Sequence, residues 1–336
     1  MAKLFGIGAI VFLMAALVVA FSVSDRPIVR YQDYPCQYQA IFLRDKALQH
    51  ETTREVVIFS NSRGMVGLDA NQLADSLSRR SGLPTHVIDL GKSWRGNELN
   101  LQLAEDYFRN HSADLVLIEF NQAKSPRARY HENSFYTLTV GRLAKLILTD
   151  EREPVWQRPG RLFYALSMRL LRPVEDQLVG RFKDLSALDP LPKVTSVDCP
   201  HSPRLVNVRS LLVREKYNER NDWQRFMLNF DFDHASQKNH MQDMLNMIDL
   251  ARRNGADVAL FYVHEYFDRR MHEDMLETIE LRAGVPLIKL DDRQLSSWYA
   301  AHVYHDPTHF TREGTKRFVG YLTANLPSTL KIFQGN

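Results

Sequence analysis

Among 336 residues there are two cysteines, Cys36 and Cys199, too few for the disulfide frameworks that hold small secreted domains together. Their spacing forms no metal motif. Net charge is almost lacking: 43 Lys and Arg stand against 40 Asp and Glu, a formal charge of +3. Nucleic-acid binding calls for a concentrated basic face, so no nucleic-acid partner is expected. No low-complexity tract or internal repeat is visible. What is present is the mix of a globular protein, 44% hydrophobic and 25% charged, able to bury a sizeable core.

One long hydrophobic run stands out. Leu4 to Val23, LFGIGAIVFLMAALVVAFSV, carries no charge and follows Lys3, and it is long enough to span a bilayer. A first hydrophobic segment normally starts export with its amino end inside. Residues 1–24 therefore read as a signal anchor, with the rest of the chain in the periplasm or extracytoplasmic space. A cleaved signal peptide is the other reading, against which stand the length of the run and bulky Phe21 and Val23 where a peptidase favours small residues. Either way the domain is exported. In an oxidising compartment Cys36 and Cys199 are a disulfide or two unpaired thiols, and the sequence leaves both open.

Residues 25–53 mix Pro27, Pro35 and tyrosines without periodicity and read as a stalk. Glu55–Ser60 (EVVIFS) then reads as a buried strand, broken by a tight turn at Asn61-Ser62-Arg63-Gly64. Ala70 to Arg80 has helical spacing, with Asp69 as its N-cap. Strand His86–Leu90, helix Asn97–Asn110 and strand Asp114–Phe120 follow. Further on come helix Gln237–Arg253, stopped by Asn254-Gly255, and strand Asp257–Val263. Helix Asp268–Ala283, strand Pro286–Leu290 and a last helix from about Arg312 to Leu326 complete the alternation. Such alternation predicts a parallel sheet covered on both faces, with ligands beyond the carboxyl ends of its strands. It lapses at about residues 122–236, an insertion expected to be mainly helical. Arginines such as Arg161 and Arg172 recur there beside Trp156 and Tyr164. That composition suits a glycan or lipid headgroups, and equally a helical cap with solvated arginines.

Ser62 follows the first strand directly, where a strand-to-helix turn exposes a hydroxyl; serines also stand in such turns as simple caps. Near the other end, Asp306 and His309 lie in HDPTHF, expected as a loop at the carboxyl edge. A serine hydroxyl needs a base to remove its proton, and the base works best when a carboxylate fixes its tautomer. Asp306 can orient His309, and His309 can activate Ser62. A metal site would need further ligands, which His302 and His305 supply only loosely; no metal or other cofactor is expected. An oxyanion needs donors. Asn121 can present its side-chain amide, the loop Gly91 to Gly96 a backbone N–H, and Ser62 its own.

Together these blocks resemble the SGNH (GDSL-like) hydrolase superfamily. Ser60-Asn61-Ser62 stands for its Gly-Asp-Ser, Glu119-Phe120-Asn121-Gln122 for its Gly-x-Asn-Asp, and Asp306-Pro307-Thr308-His309 for its Asp-x-x-His, with Gly314 following. The likeness covers about 55–121 and 237–326 and implies a flavodoxin-like, doubly wound parallel sheet of about five strands. It makes 54–330 the catalytic domain, Ser62 the nucleophile, and Asp306 and His309 its partners. Asn121 would be one oxyanion donor, with Gly91 and Trp94 competing for the second. Asn61 replaces the family's Asp. Glu119 replaces a Gly, and no role for that carboxylate is legible in the sequence. An anchor plus an insertion looks like the extracytoplasmic members that add or remove O-acyl groups, acetyl above all, on cell-surface polysaccharides or other acylated glycans. Some of these work beside a membrane-bound O-acyltransferase. Three functions follow as expectations: an acyltransferase, a carbohydrate esterase using the same residues, or a non-catalytic subunit of a polysaccharide export complex.

Overall fold

A computed structural model describes residue 14 and residues 54–91, 97–109, 111–120, 235–264, 273–300, 303–306 and 309–334. The stalk, both cysteines, the insertion as far as residue 234 and, but for Met14, the anchor lie outside these residues. No helix among the described residues is long and apolar enough to cross a membrane.

The chain is an α/β protein. Strands β1 (Arg54–Phe59), β2 (Thr85–Asp89), β3 (Leu115–Glu119), β4 (Asp257–Phe261) and β5 (Leu287–Ile288) form one sheet in the order β2-β1-β3-β4-β5. Every pairing in it is parallel. Parallel strands need crossovers, and helices supply them on both faces. They are α1 (Ser62–Gly67), α2 (Ala70–Ser81), α3 (Asn97–Tyr107), α4 (Ala235–Arg253), α5 (Glu273–Ala283), α6 (Asp292–Ala300) and α7 (Arg312–Asn325). Between α6 and α7 a small antiparallel ribbon pairs β6 (Tyr304–Asp306) with β7 (His309–Phe310).

The apolar strands are sorted by the two-residue alternation of the pleat. Val57, Phe59, Val116, Ile118, Val258 and Leu260 enter the core that α3, α4 and α5 cover. Val56, Ile58, Leu115, Leu117, Ala259 and Phe261 enter the other, under α1, α2, α6 and α7. Both faces are therefore dry, which is why these strands read as continuous apolar runs.

Helix ends follow the expected chemistry. The Asp69 carboxylate accepts from the N–H groups of Asn71 and Gln72, each at 3.0 Å, and caps α2. Gly255 and Gly284 sit at φ of 81° and 62° just past α4 and α5, a left-handed conformation that favours glycine.

Four details differ from the sequence expectation. The turn at Asn61–Gly64 is the start of a short helix, because the Asn61 side chain caps it by accepting from Arg63 N–H at 2.7 Å. The segment around Asp306 and His309 is a ribbon rather than a loop, with strands too short to show a period. Helix α6 had no expected counterpart, and β5 is shorter than Pro286–Leu290.

Candidate active site

In an order β2-β1-β3-β4-β5 the chain reverses its winding between β1 and β3, and the crevice outside their carboxyl ends is where such sheets bind ligands. Ser62 opens α1 just beyond the end of β1, and Glu119 is the last residue of β3. Both stand at that reversal.

The ribbon reaches the same edge. Asp306 and His309 are Cα partners across β6 and β7, and β7 packs against α1. A Cβ added at Gly67, in α1, would lie 3.6 Å from Phe310 Cδ2. Phe310 anchors the ribbon: its ring centroid lies 5.0 Å from that of Tyr304, 5.4 Å from Trp298 and 5.5 Å from Phe318. The ribbon is also tied to the start of α7. Thr311 donates its N–H to Val303 O at 2.7 Å, and its hydroxyl accepts from Gly314 N–H at 3.2 Å. Gly314 is needed for this approach, since a Cβ there would fall 2.3 Å from Val303 O. His309 itself is half-buried.

A buried ion pair lies beside the turn at Asn61–Gly64. Glu119 is buried, and its Oε2 accepts two backbone N–H groups, from Asn61 at 2.8 Å and from Gly64 at 3.1 Å. Its Oε1 lies 3.4 Å from Nε of Arg63, which is also buried. The Arg63 guanidinium carbon sits 5.7 Å from the centroid of the Tyr262 ring, a cation–π arrangement. Tyr262 in turn meets His264 edge-on, with centroids 4.7 Å apart. His264 Nε2 accepts from Leu290 N–H at 3.1 Å, so its proton belongs on Nδ1.

Burial dominates the electrostatics. It pushes the Glu119 carboxyl above the usual range, against the opposing pull of Arg63, the Asn61 and Gly64 N–H groups, and His309. Burial, then the charges of Arg63 and Lys289, drive His264 down to about 3, so its ring is neutral at ordinary pH.

The candidates from the sequence thus divide. Ser62, Asp306 and His309 belong to elements that meet at one edge. Gly91 stands at that edge too, beyond β2, but its N–H is engaged with its own turn, donating to Asp89 Oδ1 at 2.7 Å. Trp94 and Asn121 lie outside the described residues. A carboxylate closing an otherwise apolar strand, LVLIE, and an arginine beside Ser62 were the signals for the buried pair.

Chemically, the edge offers a serine at a capped strand-to-helix junction, an imidazole carried on a short ribbon, and a buried ion pair. The class shown is an α/β protein with a five-stranded parallel sheet, with Ser62 and His309 as candidates on elements that meet at its switch point. No protein-family model matches the sequence, and no curated protein matches it either.

Proposed function

We propose that this chain is an SGNH-type serine O-acyltransferase, acting outside the cytoplasm on a cell-surface polysaccharide or other glycan, with acetyl as the group transferred. The observation that carries the reading is the meeting at one switch point of α1, which Ser62 opens, and the ribbon of Asp306 and His309. Triad chemistry needs those residue types at one place and in those roles.

In this reading Ser62 Oγ attacks the carbonyl carbon of an ester donor while His309 takes its proton. The tetrahedral oxyanion rests on the Ser62 N–H, the Asn121 amide and a loop N–H. Collapse breaks the donor C–O bond, His309 returns the proton to the leaving alcohol, and acyl-Ser62 remains. A sugar hydroxyl then attacks, deprotonated by His309, and the free serine is restored. Asp306 orients the imidazole and stabilises its charged form. The apolar run at 4–23 holds the domain at the membrane, where a membrane-bound O-acyltransferase would deliver the acyl group. The choice of glycan falls to the insertion.

The test uses the full-length chain with a small acetyl ester, an acceptor oligosaccharide and a fluorophosphonate probe. Wild-type protein should label at Ser62 and move acetyl to sugar; Ser62→Ala should do neither. Acetate released to solution with none on sugar would make the chain an esterase. Folded wild-type protein that neither labels nor turns over ester would sink the enzyme reading and leave a binding module of a polysaccharide export complex.

A further inference from the structure

We infer that Glu119 is a positioning residue for Ser62: one carboxylate oxygen holds the backbone on both sides of the serine, and the buried Arg63 is its counter-ion. The inference rests on the acyl-transfer reading and adds a residue to it.

Four consecutive peptide N–H groups, from Asn61 to Gly64, make up the junction of β1 and α1. Glu119 Oε2 takes the first and last, at 2.8 and 3.1 Å. The Asn61 side chain takes that of Arg63 at 2.7 Å. The Ser62 N–H lies between these held groups. It is the one an oxyanion would use. With its neighbours held, the peptide that carries it has little freedom to turn, and neither has the Cα from which the Ser62 side chain springs.

Three further features fit this role. Glu119 ends β3, so the clamp is fixed to the rigid centre of the sheet, paired to β1 on one side and β4 on the other. Gly64 allows the approach: a Cβ there would lie 2.7 Å from Glu119 Oε2 and 2.4 Å from Ser60 Cβ. Arg63 is held in turn against the face of Tyr262. Charge-assisted bonds from backbone N–H groups to a carboxylate are among the stronger ones. A buried ion pair is nonetheless a poor device for stability alone, since apolar residues of similar volume often serve as well or better. Its rationale here is the geometry of the serine.

The experiment compares three full-length chains: wild type, Glu119→Gln and the double variant Arg63→Met/Glu119→Leu. Glutamine keeps an oxygen for the two N–H groups; the double variant removes the clamp without leaving a lone buried charge. Each is measured for folding by circular dichroism melting, for kcat and KM on the acetyl ester, and for hydrogen exchange of the peptide spanning 55–68. A misplacement of about 1 Å at a reacting group can cost ~100-fold in rate. The double variant should therefore melt cooperatively, lose about that factor in kcat or labelling rate with KM within about threefold, and exchange faster at 55–68 alone. Glu119→Gln should recover most of both losses.

A cooperatively folded double variant with wild-type kcat overturns the inference, and so does unchanged exchange at 55–68. If the double variant fails to fold, Gly64→Ala decides: cooperative folding with wild-type kcat there overturns it. Folded wild-type protein without ester turnover or labelling fails the acyl-transfer reading instead. The exchange comparison between wild type and the double variant, or Gly64→Ala where that does not fold, then decides the backbone clamp by itself.

Discussion

Strand β3 is bracketed by two acids that do the same thing in different surroundings. Asp114, just before it, pairs with Arg54 at 2.8 Å and accepts the N–H of Glu55 at 2.8 Å, holding the start of β1. Glu119, at its end, pairs with Arg63 and accepts two N–H groups just beyond β1. At the amino edge the paired side chains are 18% and 25% exposed; at the carboxyl edge they are 6% and 0% exposed. Water makes the first a solvated staple, easily replaced and screened by salt. Its exclusion makes the second costly to form and costly to break.

The largest expected effect separates the two edges by activity. Ser62→Ala or His309→Ala should lower ester turnover by ~1,000-fold or more while leaving the melting temperature in place. Arg54→Ala should leave turnover untouched, so loss of turnover there would break the comparison. Next, Glu119→Ala alone removes the carboxylate beside buried Arg63 and should cost ~3–5 kcal/mol of stability, read by urea unfolding.

Gly64→Ala should cost about 1–3 kcal/mol, because its methyl would push on Ser60 and Glu119. Its kcat should fall with its stability. Gly320→Ala, where nothing lies within 4 Å, is the control and should do neither.

Acid sharpens the contrast further. In the unfolded chain His264 takes up a proton below its ordinary value of 6.5, whereas the folded protein keeps the ring neutral down to about 3. The unfolded state binds more protons in that window, so stability should fall as pH drops from 6.5 towards 3. Each unit removes up to ~1.4 kcal/mol. Urea unfolding at several pH values should show the slope, flattened in His264→Gln. Smallest is Arg54→Ala, expected to cost about 0.2–1 kcal/mol, less in high salt.

The alternation of strands and helices was legible because both sides of the sheet are covered, which leaves runs such as EVVIF and LVLIE as plain apolar segments. Helix ends were legible where one residue decides them, as Asp69, Gly255 and Gly284 do. Ser62, Asp306 and His309 could be nominated from their places beside those elements. The ribbon could not, since strands of three and two residues around Pro307 carry no periodicity. Nor could the partnership of Arg63 with Glu119, more than fifty residues apart in the chain.

The sequence by itself determined the order of elements and the residue types at the strand ends, because pleat, capping and apolar periodicity are local. Only the tertiary structure decided which ends are neighbours. Strand order is a choice among pairings of similar backbone energy, settled when all the apolar faces close at once. That closure sets Glu119 under the Ser62 turn and turns a misplaced-looking carboxylate into the group that holds it.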